Sequence, residues 1–128
     1  MRGLAWATVL LGLAWGQVAG LTFKPANALD LDPGVRLPAG TQKVSGKGLE
    51  AFLPLLKTPK KTAYFLPARG PSRNVAVLNF LQSFLSAGYH LIVNQPEEKV
   101  VQNPRRALYL RVVLLEEGVL FLVGEGPG

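Results

Sequence analysis

Thr62-Ala63-Tyr64-Phe65-Leu66-Pro67 opens the stretch whose reading decides the fold, and Gly88-Tyr89-His90-Leu91-Ile92-Val93-Asn94 closes it. Between them lie a turn over residues 68–72 and an amphipathic run over 73–87. The pattern passes from an unbroken apolar run to a helical spacing and back, which predicts strand, loop, helix, strand. Such a crossover needs a sheet to sit on, and it predicts parallel pairing around the helix. Apolar side chains at every position from Ala63 to Leu66 predict an interior strand covered on at least part of both faces.

Ser72 is the expected N-cap of the helix, or Pro71 its first residue, and Gly88 can take the left-handed conformation past its end. Val77, Leu78, Leu81, Phe84 and Leu85 form the predicted apolar stripe, with Asn79, Gln82, Ser83 and Ser86 facing away from it. Downstream, residues 107–115 and 119–123 read as a C-terminal β-hairpin with Glu117-Gly118 as its turn. Arg111 marks the wetter face of the first of these strands, together with Ala107 and Tyr109. Leu108, Leu110, Val112 and Leu114 are then expected to face the core.

Upstream, residues 41–45 make a short strand, and Leu49, Phe52, Leu53 and Leu56 share one helical face. Pro54 must shorten, kink or restart that helix, because proline removes a hydrogen bond and clashes with the preceding turn. Residues 97–103 suit either a helical turn or a short edge strand. The fold class expected is α/β (α+β): a two-layer sandwich with a mixed sheet of four to six strands, two helices and the C-terminal hairpin. Residues 21–40 form an irregular N-terminal segment, 41–123 a single α/β domain and 124–128 a flexible tail. Leu21-Thr22-Phe23 can begin there as an edge strand, closed by Pro25, and Asp32-Pro33-Gly34 is a turn.

Residues 1–20 read as an export signal. Met1-Arg2 is a minimal basic start, residues 3–15 carry no charge, and Gln17-Val18-Ala19-Gly20 offers small residues for cleavage after Gly20 or Ala19. The alternative is an uncleaved membrane anchor, so membrane contact is expected only through residues 1–21. Removing the leader takes Arg2 with it and turns the net charge of +6 into +5. The chain has no cysteine, so a fold outside the cytoplasm must rest on packing alone.

Between Glu50 and Glu97 there is no acid, while Lys57, Lys60, Lys61, Arg69 and Arg73 all fall there. This is either an ordinary solvated basic face or a patch for anionic partners, and the first is the simpler reading. Arg69, Gly70, Ser72 and Arg73 form the candidate anion site: they follow a strand and open a helix, where backbone N–H groups and the dipole favour negative charge. The competing reading is a plain helix start with two solvated arginines.

No catalytic residue is assigned. His90 is the only histidine and has no acid or hydroxyl beside it in sequence. Glu97-Glu98 and Glu116-Glu117 sit where solvated turn acids belong. Asp30-Leu31-Asp32 places two carboxylates on one side of an extended backbone, too few oxygens for a hard cation. One histidine and no cysteine argue against a transition-metal site, and no cofactor is expected.

Val75-Ala76-Val77-Leu78-Asn79-Phe80, the long amphipathic helix, Gly88-Tyr89 with its following strand, and the late apolar strand pair resemble small α/β domains of bacterial envelope proteins. The TolB N-terminal domain and curli-secretion-type lipoproteins are of this kind, and the resemblance covers residues 62–123. It implies a structural or adaptor role in the envelope. The chain lacks the lipoproteins' lipid-bearing cysteine.

Three functions follow as expectations. The first is a small exported, non-enzymatic interaction domain whose partner is another envelope protein, or a second copy, met at a sheet edge or at the C-terminal hairpin. The second is a binder of a polyanion, lipid headgroup or glycan at Arg69 and Arg73. The third is a hydrolase using His90 or a glutamate pair.

Overall fold

The computed structural model of the chain describes residues 20–126. The expected leader therefore lies outside the described residues except for Gly20, as do the last two residues of the tail. The described elements are strands β1 (Thr22–Pro25), β2 (Gln42–Ser45) and β3 (Lys60–Pro67), helix α1 (Ser72–Ser86), and strands β4 (His90–Asn94), β5 (Glu98–Gln102), β6 (Ala107–Leu114) and β7 (Gly118–Glu125). Two 3-10 turns, Lys47–Ala51 and Leu53–Leu55, precede β3.

The chain is of mixed α and β type, as expected, with a sheet of seven strands instead of four to six. Their order is β1-β2-β3-β7-β6-β5-β4. Every pairing is antiparallel, which corrects the expected mixed sheet. Strands β3 and β4 do run in the same direction, but β7, β6 and β5 lie between them. The crossover thus spans about 19 Å of sheet. It delivers the chain to the far edge, and the meander β4 to β7 fills the gap back to β3.

The reason lies in what each strand can bury. In β7, Val119 to Val123 alternate between the two faces, and all five are buried. Strand β3 buries Ala63, Tyr64, Phe65 and Leu66 in the same way. Two strands apolar on both sides stabilise the sheet most when they pair at its centre. Strand β4, with His90 and Asn94 at its ends, has less to bury and is left at the edge.

On one face Tyr64, Leu66, Phe121 and Val123 pack against Ala76, Phe80, Leu81 and Phe84 of α1. The Phe80 and Phe121 rings lie parallel with centroids 3.8 Å apart. On the other face Val44, Ala63, Phe65, Leu120 and Leu122 are covered by Leu49 and Leu56 around the 3-10 turns. Pro54 enters the second of these turns near its start, so the helix expected upstream restarts there and stays short.

The buried stripe of α1 is rotated from the expected one. Ala76 and Phe80 are in the core, whereas Leu78 is 65% exposed and Leu85 39%. The helix begins at Ser72 with Pro71 as N-cap and no side-chain cap. It ends as expected at Gly88, φ 96°, with the Tyr89 N–H on the Phe84 carbonyl and the Gly88 N–H on that of Leu85.

The C-terminal hairpin is present with a shifted turn. Leu115 and Gly118 exchange both backbone hydrogen bonds, so Glu116-Glu117 makes the turn and Gly118 opens β7. Leu108, Leu110 and Val112 face the core as expected, but Leu114 is 52% exposed. Residues 98–102 are strand, not helix. Because β7 is the middle strand of the sheet, the hairpin presents no open backbone edge, and Leu114 is its exposed large apolar side chain.

Candidate functional site

Residues 27–37 fold into a small hairpin that lies on the helix face of the sheet. The Leu29 N–H donates to the Val35 carbonyl at 3.0 Å and that of Leu37 to Asn27 at 2.9 Å, with a bridge between Ala28 and Arg36. Leu29, Val35 and Leu37 are buried and join the main core. The alternation Val35, Arg36, Leu37 then sends Arg36 outward.

Four side chains of the sheet and its edge anchor the hairpin tip. The Tyr64 hydroxyl accepts from the Asp30 N–H at 2.8 Å, and the Tyr89 hydroxyl donates to the Asp32 carboxylate at 2.6 Å. Arg106 donates to the Leu31 carbonyl and pairs with Glu125 at 3.7 Å; Lys43 pairs with Asp30. The two aspartates are thus spent on internal partners. Among the described residues no group of three or more His, Asp or Glu side chains could hold a metal.

The Tyr89 hydroxyl holds the Asp32 carboxyl below the usual carboxylate range, helped by the Gly34 N–H and the charges of Arg106 and Arg105 against the cost of burial. Burial, then the Asp32 hydrogen bond and charge, push the Tyr89 hydroxyl well above the ordinary tyrosine value. A depressed carboxyl contributes stability that is present at neutral pH and lost as pH falls through its folded value, below about 4. A raised phenol contributes stability that is present below about pH 10 and declines as pH rises beyond it. Tyr89→Phe is accordingly expected to cost about 1–2 kcal/mol at neutral pH and to flatten both limbs. Urea unfolding followed at acid, neutral and alkaline pH measures this.

Between the hairpin and α1 runs a groove of about 460 Å³. Arg36 and Pro38 line one side, and Asn79, Gln82, Ser83 and Ser86 the other. The sequence signal was present in the polar helical face at 79, 82, 83 and 86. That signal placed these residues away from the core, but it could not place a second wall opposite them.

The residues expected to hold an anion occupy the start of α1. The N–H groups of Ser72, Arg73 and Asn74 donate to the carbonyls of Arg69, Gly70 and Pro71 at 3.1 Å. Arg73 donates from Nε to the Gly70 carbonyl at 3.1 Å and from a terminal nitrogen to the Leu115 carbonyl at 2.9 Å, clamping the helix to the β6–β7 turn. The turn acids Glu116 and Glu117 lie beside this loop, as the Ala68 N–H bond to the Glu117 carbonyl shows. Arg69 is exposed.

The lysines do not converge. Lys60 and Lys61 are successive on β3 and point to opposite faces, Lys61 donates to the Leu53 carbonyl at 3.1 Å, and Lys57 is exposed. His90 is exposed at the start of β4, opposite Gln102. Glu97 and Glu98 both pair with Arg111, at 3.5 and 3.2 Å.

The two sheet edges differ. Strand β1 carries Lys24 and Pro25, both of which discourage further pairing. Strand β4 has no acid, lysine or arginine, and exposes Ile92 (54%) and Val93 (36%). A register shift between Leu91 and Val93 bends it, and the Lys99 ammonium donates to Asn94 Oδ1 at 2.6 Å, tying its end to β5.

Comparison with family models, curated proteins and solved structures gave no match to this chain. Among the described residues no helix is long and apolar enough to cross a membrane.

Proposed function

We propose that this chain is a small exported, non-enzymatic interaction domain of the bacterial cell envelope that accepts an extended strand of a partner protein along β4. The observation that carries the reading is the exposure of Ile92 and Val93 on an edge strand without an acid, lysine or arginine. A strand laid against β4 would satisfy its outward N–H and C=O groups and cover both apolar side chains. The occupant that fits is an uncharged, apolar extended segment, since β4 offers no acid or permanent cation to pair with a charged one. Export rests on residues 1–20, and the envelope setting on the resemblance of residues 62–123.

The test is a photo-crosslinking side chain placed at Ile92 or at Lys24 and activated in the producing cell. An adduct of defined mass is expected at Ile92 and not at Lys24, and Val93→Lys should abolish it while changing stability by no more than about 0.5 kcal/mol. An adduct of twice the chain's mass would identify a second copy as the occupant. No adduct at Ile92, or equal yields at both edges, would defeat the reading.

A further inference from the structure

We infer that the groove between the 27–37 hairpin and α1 binds a small hydroxylated oxyanion, a sugar acid or a sugar phosphate, with Arg36 holding the anionic group. Arg36 is the only charged residue lining the groove, and its guanidinium has no hydrogen-bond or ion-pair partner among the described residues. Of the other cations beside this hairpin, Arg106 and Lys43 are engaged by the Leu31 carbonyl and Asp30, and Arg105, which acts on Asp32, does not line the groove. No acid lines the groove to compete for Arg36. Of the hairpin's two acids, Asp32 has its oxygens on the Tyr89 hydroxyl and the Gly34 N–H, and Asp30 pairs with Lys43. A guanidinium presents a planar fork suited to a carboxylate or phosphate.

The opposite wall supplies what hydroxyl groups need. Gln82 donates to Ser86 Oγ at 3.1 Å, and Ser83 Oγ donates to the Asn79 carbonyl at 3.3 Å. These bonds leave the whole Asn79 side-chain amide, the Gln82 oxygen and its second N–H, and the Ser86 proton for a ligand. Each amide offers a donor and an acceptor together, the pairing that a ring hydroxyl matches. The volume lies in the range that accepts small molecules, and both walls are pinned to the core, so little ordering entropy is lost on binding. The lining named above contains no aromatic ring for a sugar to stack on, which places the dissociation constant on the order of 1 mM.

The experiment is a ¹⁵N NMR titration of the chain with glucuronate, glucose 6-phosphate, glucose and, at matched ionic strength, sodium chloride. Saturable shifts at the Asn79 and Gln82 side-chain amides and at Arg36 Nε are expected with the acids and not with glucose or chloride. A response to one acid alone would identify carboxylate or phosphate as the recognised group, and a response to both would identify the shared oxyanion. Arg36→Ala should weaken binding about tenfold, with Arg36→Lys recovering part of the loss. Both substitutions fall on an exposed side chain, so the fold should survive them. No saturable shift up to about 50 mM, an equal response to glucose or chloride, or shifts unaltered in Arg36→Ala would overturn the inference.

Discussion

Phe80→Ala is expected to lower the unfolding free energy by about 4 kcal/mol, the range for truncating a fully buried aromatic side chain. The Phe80 ring has no exposed surface, lies flat on Phe121, and stands 5.6 Å from Phe84 and 6.2 Å from Tyr64 between ring centroids. Removing it strips the joint at which α1 meets the two central strands. A domain of this size holds only about 5–15 kcal/mol in total, so the variant should unfold at markedly lower urea with an unchanged slope. Leu78→Ala, two positions away, should move the midpoint by no more than about 0.5 kcal/mol because its side chain is in solvent. Equal losses at the two positions would mean that α1 is rotated from the orientation described above.

Gly118→Ala should cost about 3 kcal/mol, and for a different reason. A Cβ built there falls 2.6 Å from Phe65 Cζ and closer still to the Leu66 carbonyl oxygen, a backbone atom of the neighbouring strand. Backbone cannot swing aside as the end of a side chain does, so β3 and β7 would have to part at this point. Gly40→Ala is the matching control. Gly40 has a positive φ of 89°, and a Cβ added to it would meet nothing within 4 Å, so only its conformational cost, about 1 kcal/mol, should appear. Thermal unfolding of the two variants separates steric from conformational cost.

Local order was legible wherever it depended on neighbours in sequence. The end of α1 at Gly88 followed from the need for a left-handed residue there. A break at Pro54 followed from the missing N–H, while the choice among shortening, kinking and restarting did not. The buried face of β6 at Leu108, Leu110 and Val112 followed from alternation. The orientation of α1 was less legible, because Leu78 and Leu85 are as apolar as Phe80 and Phe84 and the helix is apolar on more than one side. Aromatic volume decided which side turned inward.

The candidate groove was only half readable. Asn79, Gln82, Ser83 and Ser86 stood out as one polar face, but Arg36 lies more than forty residues upstream in a segment read as irregular. Its placement depends on Tyr64, Tyr89 and Arg106, each contributing one hydrogen bond from a different strand or strand boundary. The anion site expected at Arg69 and Arg73 drew on those residue types and on their place between a strand and a helix. Those types do not say that the first N–H groups of α1 would be taken by upstream carbonyls, or that Glu116 and Glu117 would come to rest beside them.

The sequence by itself determined the kinds of elements and much of their local geometry: strand, helix and strand across residues 62–94, the hairpin at the C-terminus, and one strand, at Ala63 to Leu66, apolar enough for an interior position. These follow from side-chain periodicity, backbone donors and the conformational limits of glycine and proline, all of which act over a few residues. Only the tertiary structure decided that β3 and β4 do not touch, that β7 takes the place between β3 and β6, and that β4 is left as an open edge. Strand order is a competition between distant segments for the same backbone edge. It is settled by how much apolar surface each pairing buries on both faces at once, a quantity that no local stretch of sequence contains.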